Sequence, residues 1–350
     1  MTLLKSNTYN SLLQSFWTDY NDLLDALKEK TVMITGASGM IGSFIVDALM
    51  CANIKNSLNC RVIVMGRNAD SLSRRFSEYI NNTNFVILAH DVTKELAVSE
   101  QVDFIIHAAS NADPASFSKY PVDTLLANVI GTYNLLEFSR RFGVQRFMFI
   151  SSGEFYGSSE NIENGFTEND LGKLDFSSSR ICYPEGKRSA EALCKCYEAQ
   201  YGIDTVTVRP CHIFGPTMTD TDSRAVSQFF RNALGSEDIL LNSPGNIQRS
   251  HCYVSDAAAG ILVALIRGQK GEAYNISDEK LKMTIRQFAQ QVANAGGTKL
   301  IFNNPSDSEV VDVIPNKRQV LDNSKLTALG WSLRDTDKIQ ETLTILKEAQ

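Results

Sequence analysis

No stretch of this chain approaches the ~18 consecutive apolar residues that cross a bilayer, which excludes a membrane-spanning helix. The opening MTLLKSNTYNSLLQSFW lacks a basic start followed by a clean apolar run, so it does not read as a secretory signal. Basic residues do not dominate: 34 Lys and Arg stand against 40 Asp and Glu, a net charge of −6. RRF at 74–76 and SRRFG at 139–143 are too short to form a basic stripe and read as solvated helix faces. That balance excludes a general nucleic-acid binder. Seven cysteines are an odd number and form no CxxC pair. Cys194 and Cys196, two apart on a helix, point in different directions and make no metal pair, so no metal site is expected. Reduced packing cysteines in a soluble, cytoplasmic protein are the expectation. Internal repeats and low-complexity segments are missing too.

What is present is a chain of 350 residues, 43% hydrophobic, long enough to bury a large core. Residues 1–30 form an extension whose Leu12, Leu13, Phe16, Trp17, Tyr20, Leu23, Leu24 and Leu27 keep a helical period. That stripe packs either on the domain behind it or on a second copy of the chain. From residue 31 short apolar runs (31–35, 61–65, 85–88, 104–107, 147–150 and 205–209) alternate with helical stretches (40–51, 69–80, 121–142 and 184–201). The alternation predicts an α/β fold: a Rossmann-type doubly wound parallel sheet over 31–209. After residue 210 the regularity loosens around Pro216, Pro244 and Gly245. A smaller substrate-binding region over 210–350 is expected, with a segment near 253–268 returning to the Rossmann core.

TVMITGASGMIGSFIVDALM places Gly36, Gly39 and Gly42 between a strand and a helix, with Ser38, Met40 and Ile41 completing the turn. The first glycine permits the tight turn, the second lets backbone approach a pyrophosphate, and the third allows close helix–strand packing. The helix N-terminus then stabilises the negative charge. These residues predict an NAD(P) site. The second strand ends in Gly66-Arg67, where an NAD site usually carries an acid for the ribose hydroxyl. Glycine leaves room and Arg67 can pair with a 2′-phosphate, which favours NADP and leaves NAD open. Asp91 and Val92 follow the third strand, placed for the adenine, and Ala108 and Ala109 follow the fourth, placed to line the crevice. His107 lines the same crevice or is a core histidine.

YPEGK sets Tyr183 and Lys187 four residues apart, on one face of a helix. An ammonium beside a phenol, near an oxidised nicotinamide, is expected to lower the phenol pKa from ~10 towards neutrality. The tyrosinate then takes a proton from a sugar hydroxyl as hydride leaves the same carbon, and Ser152 hydrogen-bonds that oxygen.

With TGASGMIG (35–42), HAAS (107–110), ISSGEFYG (150–157), YPEGK (183–187), RPCHIFGP (209–216), YVSDAAAG (253–260) and ALGW (328–331), the chain resembles the extended short-chain dehydrogenases/reductases of the NAD-dependent epimerase/dehydratase group. The resemblance spans residues 31 to about 335 and implies a tightly bound NAD(P) and a nucleotide-sugar substrate. It implies catalytic roles for Ser152, Tyr183 and Lys187, and makes Asn128 the counterpart of the group's structural asparagine. RICYPEGKRSAEALC, FGPTMTDTDSRAVSQFFRNAL and GNIQRSHCYVSD look most like UDP-glucuronate decarboxylases. By that likeness Arg224 and Arg249 contact the diphosphate or uridine, their alternative being surface salt pairing. The chain departs from the pattern at NADPASF (111–117), where those enzymes are proline-rich, and at His212, where the group has asparagine. The resemblance also implies a homodimer through the helices near 121–142 and 184–201.

Oxidising C4 of a hexose acidifies the C5 hydrogen and turns a C6 carboxylate into a β-keto acid. A carboxylate near C5 therefore serves dehydration or decarboxylation rather than plain epimerisation, and Glu154 in ISSGEFYG is that carboxylate. Its alternative role is capping the following turn. Gly153, where many 4,6-dehydratases resemble one another in carrying aspartate, tips the reading to decarboxylation. Dehydration of a nucleotide hexose comes second, then 4-epimerisation or 4-keto reduction. A non-catalytic dinucleotide-binding regulator is the alternative from another class.

Overall fold

A computed structural model describes residues 3–96, 100–159, 165–304 and 319–350. Six parallel strands form in chain order: β1 Thr31–Thr35, β2 Arg61–Gly66, β3 Phe85–Ala89, β4 Phe104–His107, β5 Arg146–Ile150 and β6 Thr205–Pro210. A seventh, Ala273–Ile276, pairs parallel with β6 and was not visible as an apolar run in the sequence. Across the sheet the order is Ala273–Ile276, β6, β5, β4, β1, β2, β3. Val32 of β1 pairs with Val62 on one side and Phe104 on the other. The strands are nearly continuous Val, Ile, Met and Phe because helices cover both faces, and β1, β4 and β5 are buried along almost their whole length.

Strand order reverses between β1 and β4, so the helices after these strands diverge to opposite faces and leave a crevice at the carboxyl ends. After β6 come a three-stranded sheet (His212–Phe214, Gln248–Tyr253 and Asp278–Thr284) and a two-stranded one (Ile239–Leu241 and Leu300–Phe302). Helices Ala225–Leu234 and Ile285–Gly296 cover them, while Val254–Arg267 packs back on Met40–Asn56 beneath the central sheet. Among the described residues no helix is long and apolar enough to cross a membrane.

The N-terminal stripe forms two helices rather than one, Asn7–Phe16 and Asn21–Leu27. Ser6 caps the first by accepting from the Tyr9 amide. Its apolar face is buried inside the chain against Met40–Asn56, and the Trp17 indole donates to the Ala48 carbonyl at 2.9 Å. Beneath it Asp47 is fully buried, accepting from the Tyr9 hydroxyl at 2.7 Å and the Tyr79 hydroxyl at 3.1 Å and pairing with Arg75 at 2.5 Å. Ser6 Oγ and the Thr8 amide donate to Glu348 at 2.6 and 3.0 Å, which ties the N-terminal segment to the last helix, Lys338–Glu348.

Candidate active site

The turn after β1 can only be built from glycine where it touches β4. Gly36 has φ +65°, and a Cβ there would lie 2.7 Å from the Ala108 carbonyl oxygen. A Cβ on Gly42 would lie 2.7 Å from the Gly36 oxygen, so the following helix sits tight on the turn. That helix, Met40–Asn56, starts on Gly39 with no side-chain cap. Its first amides are therefore open to the crevice, the arrangement that a pyrophosphate needs. The glycines thus fit a dinucleotide.

The crevice widens into one cleft of about 1140 Å³. Its nucleotide half is lined by Gly36, Ser38, Gly39, Met40, Ile41, Gly42, Arg67, Asp91, Val92, Ala108 and Ala109, and its other half by Ser152, Glu154, Tyr183, Lys187, His212, Arg224 and Arg249. Arg67 is exposed at the end of β2 and draws the Asp91 carboxyl down, although the hydrogen bonds from Thr93 do more. Burial, the opposing effect, is outweighed by these contributions together. Asn128 does not line the cleft. It lies buried between the two long helices, Pro121–Phe142 and Cys182–Tyr201, donating to the Thr124 carbonyl at 2.8 Å and backed by Gly186. His107 is the core histidine: it is buried, it shares a 2.7 Å hydrogen bond with Thr35 Oγ1, and burial pushes it down to about 3.

Ser152 ends β5's run and caps the turn Gly153–Tyr156, accepting from the Glu154 amide at 3.1 Å. Its side chain also lies close enough to the Tyr183 phenol to favour the phenolate. Tyr183 is buried, with its ring stacked on Phe117 at 4.6 Å and 24°. Lys187, one turn on, donates to the Ile150 carbonyl at 2.8 Å, and its nitrogen lies 5.7 Å from the centre of the Tyr183 ring. In the protein alone, burial sets both protonation equilibria. Burial pushes the Tyr183 phenol up to about 12, against a lowering by Ser152. Burial also draws Lys187 down to about 7, against a raising by Glu191. Both shifts follow from removing a charge from water. The lowering expected from sequence included the positive charge of an oxidised nicotinamide, which the protein alone does not supply.

Among the described residues the Glu154 carboxylate caps no turn. Its two oxygens accept from one Arg180 nitrogen at 2.6 and 2.9 Å, and the Arg180 guanidinium lies 5.3 Å over the Phe117 ring. Arg249 joins this corner: its Nε is buried without a partner, and its charge is disfavoured first by burial and favoured by Glu154. His212 is held neutral, well below its ordinary value, chiefly by burial and then by Arg249, while its side chain hydrogen-bonds Gln319. Arg224 is clamped by Asp222, with contacts of 2.6 and 2.9 Å, and reaches the Ile213 carbonyl at 3.3 Å. Gly153 has its own constraint: a Cβ there would lie 3.2 Å from Leu321 and 3.4 Å from the Pro210 oxygen. Arg180, Phe117 and Gln319 were missed from sequence. Arg180 stands three residues before the recognised tyrosine, which was the only signal for it.

The sequence pattern of the NAD dependent epimerase/dehydratase family matches residues 32–277. UDP-glucuronic acid decarboxylase 6 of Arabidopsis thaliana is 33% identical over 91% of this chain and 88% of its own. UDP-glucuronic acid decarboxylase 1 of Xenopus tropicalis is 32% identical over 92% of this chain and 73% of its own. Among solved structures, the UDP-glucose 4-epimerase of Thermotoga maritima superposes with a TM-score of 0.74 over 91% of this chain and 99% of its own, at 23% identity. A dTDP-glucose 4,6-dehydratase of Streptomyces venezuelae, solved with NAD bound, gives 0.73 over 91% and 97%, also at 23%. These two likenesses show the shared fold. With a family pattern across most of its length and relatives above 30% identity over nine tenths of it, the chain belongs to the NAD-dependent epimerase/dehydratase family.

Proposed function

We propose that this protein decarboxylates UDP-glucuronate. One observation carries the choice of reaction: the corner around Glu154 holds two guanidinium groups, Arg180 and Arg249, against one carboxylate. With His212 neutral, the corner keeps a positive charge in excess. A C6 carboxylate neutralises that excess, whereas a C6 hydroxymethyl group leaves buried charge without a partner. Arg249 is therefore assigned to the sugar carboxylate rather than the diphosphate, which falls to the Arg224 side of the cleft. The relatives' activity agrees with this reading.

A dinucleotide held on the turn Gly36–Gly42 would supply the hydride acceptor for oxidation at C4 and the donor for the later reduction, so no outside oxidant would be needed. Tyr183 takes the proton of the C4 hydroxyl while Ser152 holds the same oxygen. In the resulting β-keto acid the C5–C6 bond breaks, CO2 leaves, and the electron pair stays at C5 in conjugation with the C4 ketone. Glu154 attends the protonation of C5, and Tyr183 gives its proton back as C4 is reduced. Dehydration is the second reading because Glu154 serves it equally, but Gly153 offers no acid to the C6 hydroxyl.

For the cofactor, Arg67 and Gly66 support NADP over the family's general NAD. A homodimer is supported by Val122, Leu126, Ile130 and Tyr133, an exposed apolar stripe on the helix Pro121–Phe142. A cytoplasmic setting is supported by seven unpaired cysteines. Incubation with UDP-glucuronate, unmodified nucleotide hexoses and 4-keto sugars, read by mass spectrometry, tests the reaction. Loss of CO2 is expected. Loss of water from a hexose with no loss of CO2 from UDP-glucuronate refutes it.

A further inference from the structure

Around Tyr183 and Glu154 the side chains close into a ring. Ser152 lies beside the Tyr183 phenol and favours its ionised form, Tyr183 stacks on Phe117, Arg180 lies over Phe117, and Arg180 grips both oxygens of Glu154. The backbone from 154 to 152 completes it, with the Glu154 amide donating to Ser152 Oγ at 3.1 Å. Phe117 is a fixed post in this ring. It sits on the short helix Pro114–Lys119, whose cap, Asp113, accepts from the Ser116 hydroxyl at 2.6 Å and from Ser223 Oγ, across the cleft, at 2.9 Å. The segment that carries it is NADPASF, where the chain leaves its family's pattern.

We propose that Arg180 is a positioning residue whose fork, braced on Phe117, fixes the Glu154 carboxylate relative to the Tyr183 oxygen. The proposal rests on the reading of Tyr183 and Glu154 as reacting groups. An ionised carboxylate on a flexible side chain has many orientations, and a guanidinium bound to both its oxygens selects one. Among the described residues Arg180 pairs with no carboxylate but Glu154, and its side chain is half exposed, so removing it leaves the core untouched. Tyr183 feels the same charges: Glu154 raises its pKa and Arg180 lowers it, each less than burial does. The base for C4 and the carboxylate for C5 are thereby held as one unit.

A double-mutant cycle tests this, run on whichever of the three substrate classes above the wild-type protein turns over. E154Q and R180A are each expected to lower kcat about 100-fold, with KM changed only a few-fold. The double variant is expected to be no worse than E154Q alone, because Arg180 acts through Glu154. Guanidinium ion is expected to restore part of the R180A rate and none of the E154Q rate, and R180K, which keeps the charge without the fork, to lie between R180A and wild type. Multiplying losses in the double variant, or an R180A rate equal to wild type, overturns the proposal. Should E154Q fall below detection, guanidinium rescue decides, and its failure overturns it. Y183F separates the two readings: an active Y183F refutes the base assignment whatever Arg180 does, whereas an inactive Y183F with a wild-type R180A refutes the positioning role alone.

Discussion

Replacing Lys187 by methionine should make the protein more stable at slightly acid pH while abolishing turnover. Lys187 is 2% exposed, its nitrogen donates to the Ile150 carbonyl at 2.8 Å, and burial lowers its pKa from 10.5 to about 7. Below pH 7 the amine is protonated in both the folded and unfolded chain, and the folded chain carries the whole cost of the buried ammonium. Above pH 7 the folded chain sheds that proton and the unfolded chain keeps it, so stability rises with pH by about 1.4 kcal/mol per pH unit until the ordinary lysine range. The full cost at pH 6 is on the order of 5 kcal/mol. Methionine fills a similar volume but orphans the Ile150 carbonyl, at about 1–3 kcal/mol. The variant should therefore be more stable than wild type by about 2–4 kcal/mol at pH 6, an advantage that shrinks by roughly 3 kcal/mol by pH 9. Urea unfolding of both nucleotide-free proteins at pH 6, 7, 8 and 9 measures the difference, in which titrating groups remote from Lys187 cancel. Parallel profiles would refute the reasoning, because they would mean that Lys187 keeps its proton throughout. A lysine kept at such a cost makes sense only for a site.

Gly36→Ala should abolish nucleotide binding in a titration, since the added carbon meets the Ala108 oxygen at 2.7 Å and φ is +65°. Asp47→Asn should lower stability by about 3–5 kcal/mol in urea unfolding, because Arg75 keeps its charge in a buried site without its partner. Arg67→Ala should weaken NADP binding about tenfold or more and leave NAD binding alone. A wild-type protein that prefers NAD in the same calorimetric titration contradicts that assignment.

The parallel sheet and its glycine turn were legible because strands buried on both faces must be almost continuously apolar, and because the turn leaves no space for a Cβ. The short edge strand Ala273–Ile276 was not, since four residues with no period resemble any loop. The break at Trp17–Tyr20 was hidden by an apolar stripe that runs straight through it. Ser152, Tyr183 and Lys187 announced themselves by type and spacing, and the cleft brings them together. Arg180 did not, because its meaning depends on a carboxylate 26 positions away. Phe117 is a residue type that ordinarily signals core. Burial of the Tyr183 phenol was illegible for a related reason: spacing tells which groups are neighbours, whereas the cost of removing them from water depends on everything packed around them.

The hydrogen bonds from Ser6 and Thr8 to Glu348 span 342 and 340 positions of the chain. Such a closure cannot form until Glu348 has been made. The first helix can settle on Met40–Asn56 early, but its outer end waits for residue 348 to emerge. Assembly is therefore expected to finish in a late, long-range step, and a chain shortened at Glu348 should release the outer end of the first helix while its buried face stays docked.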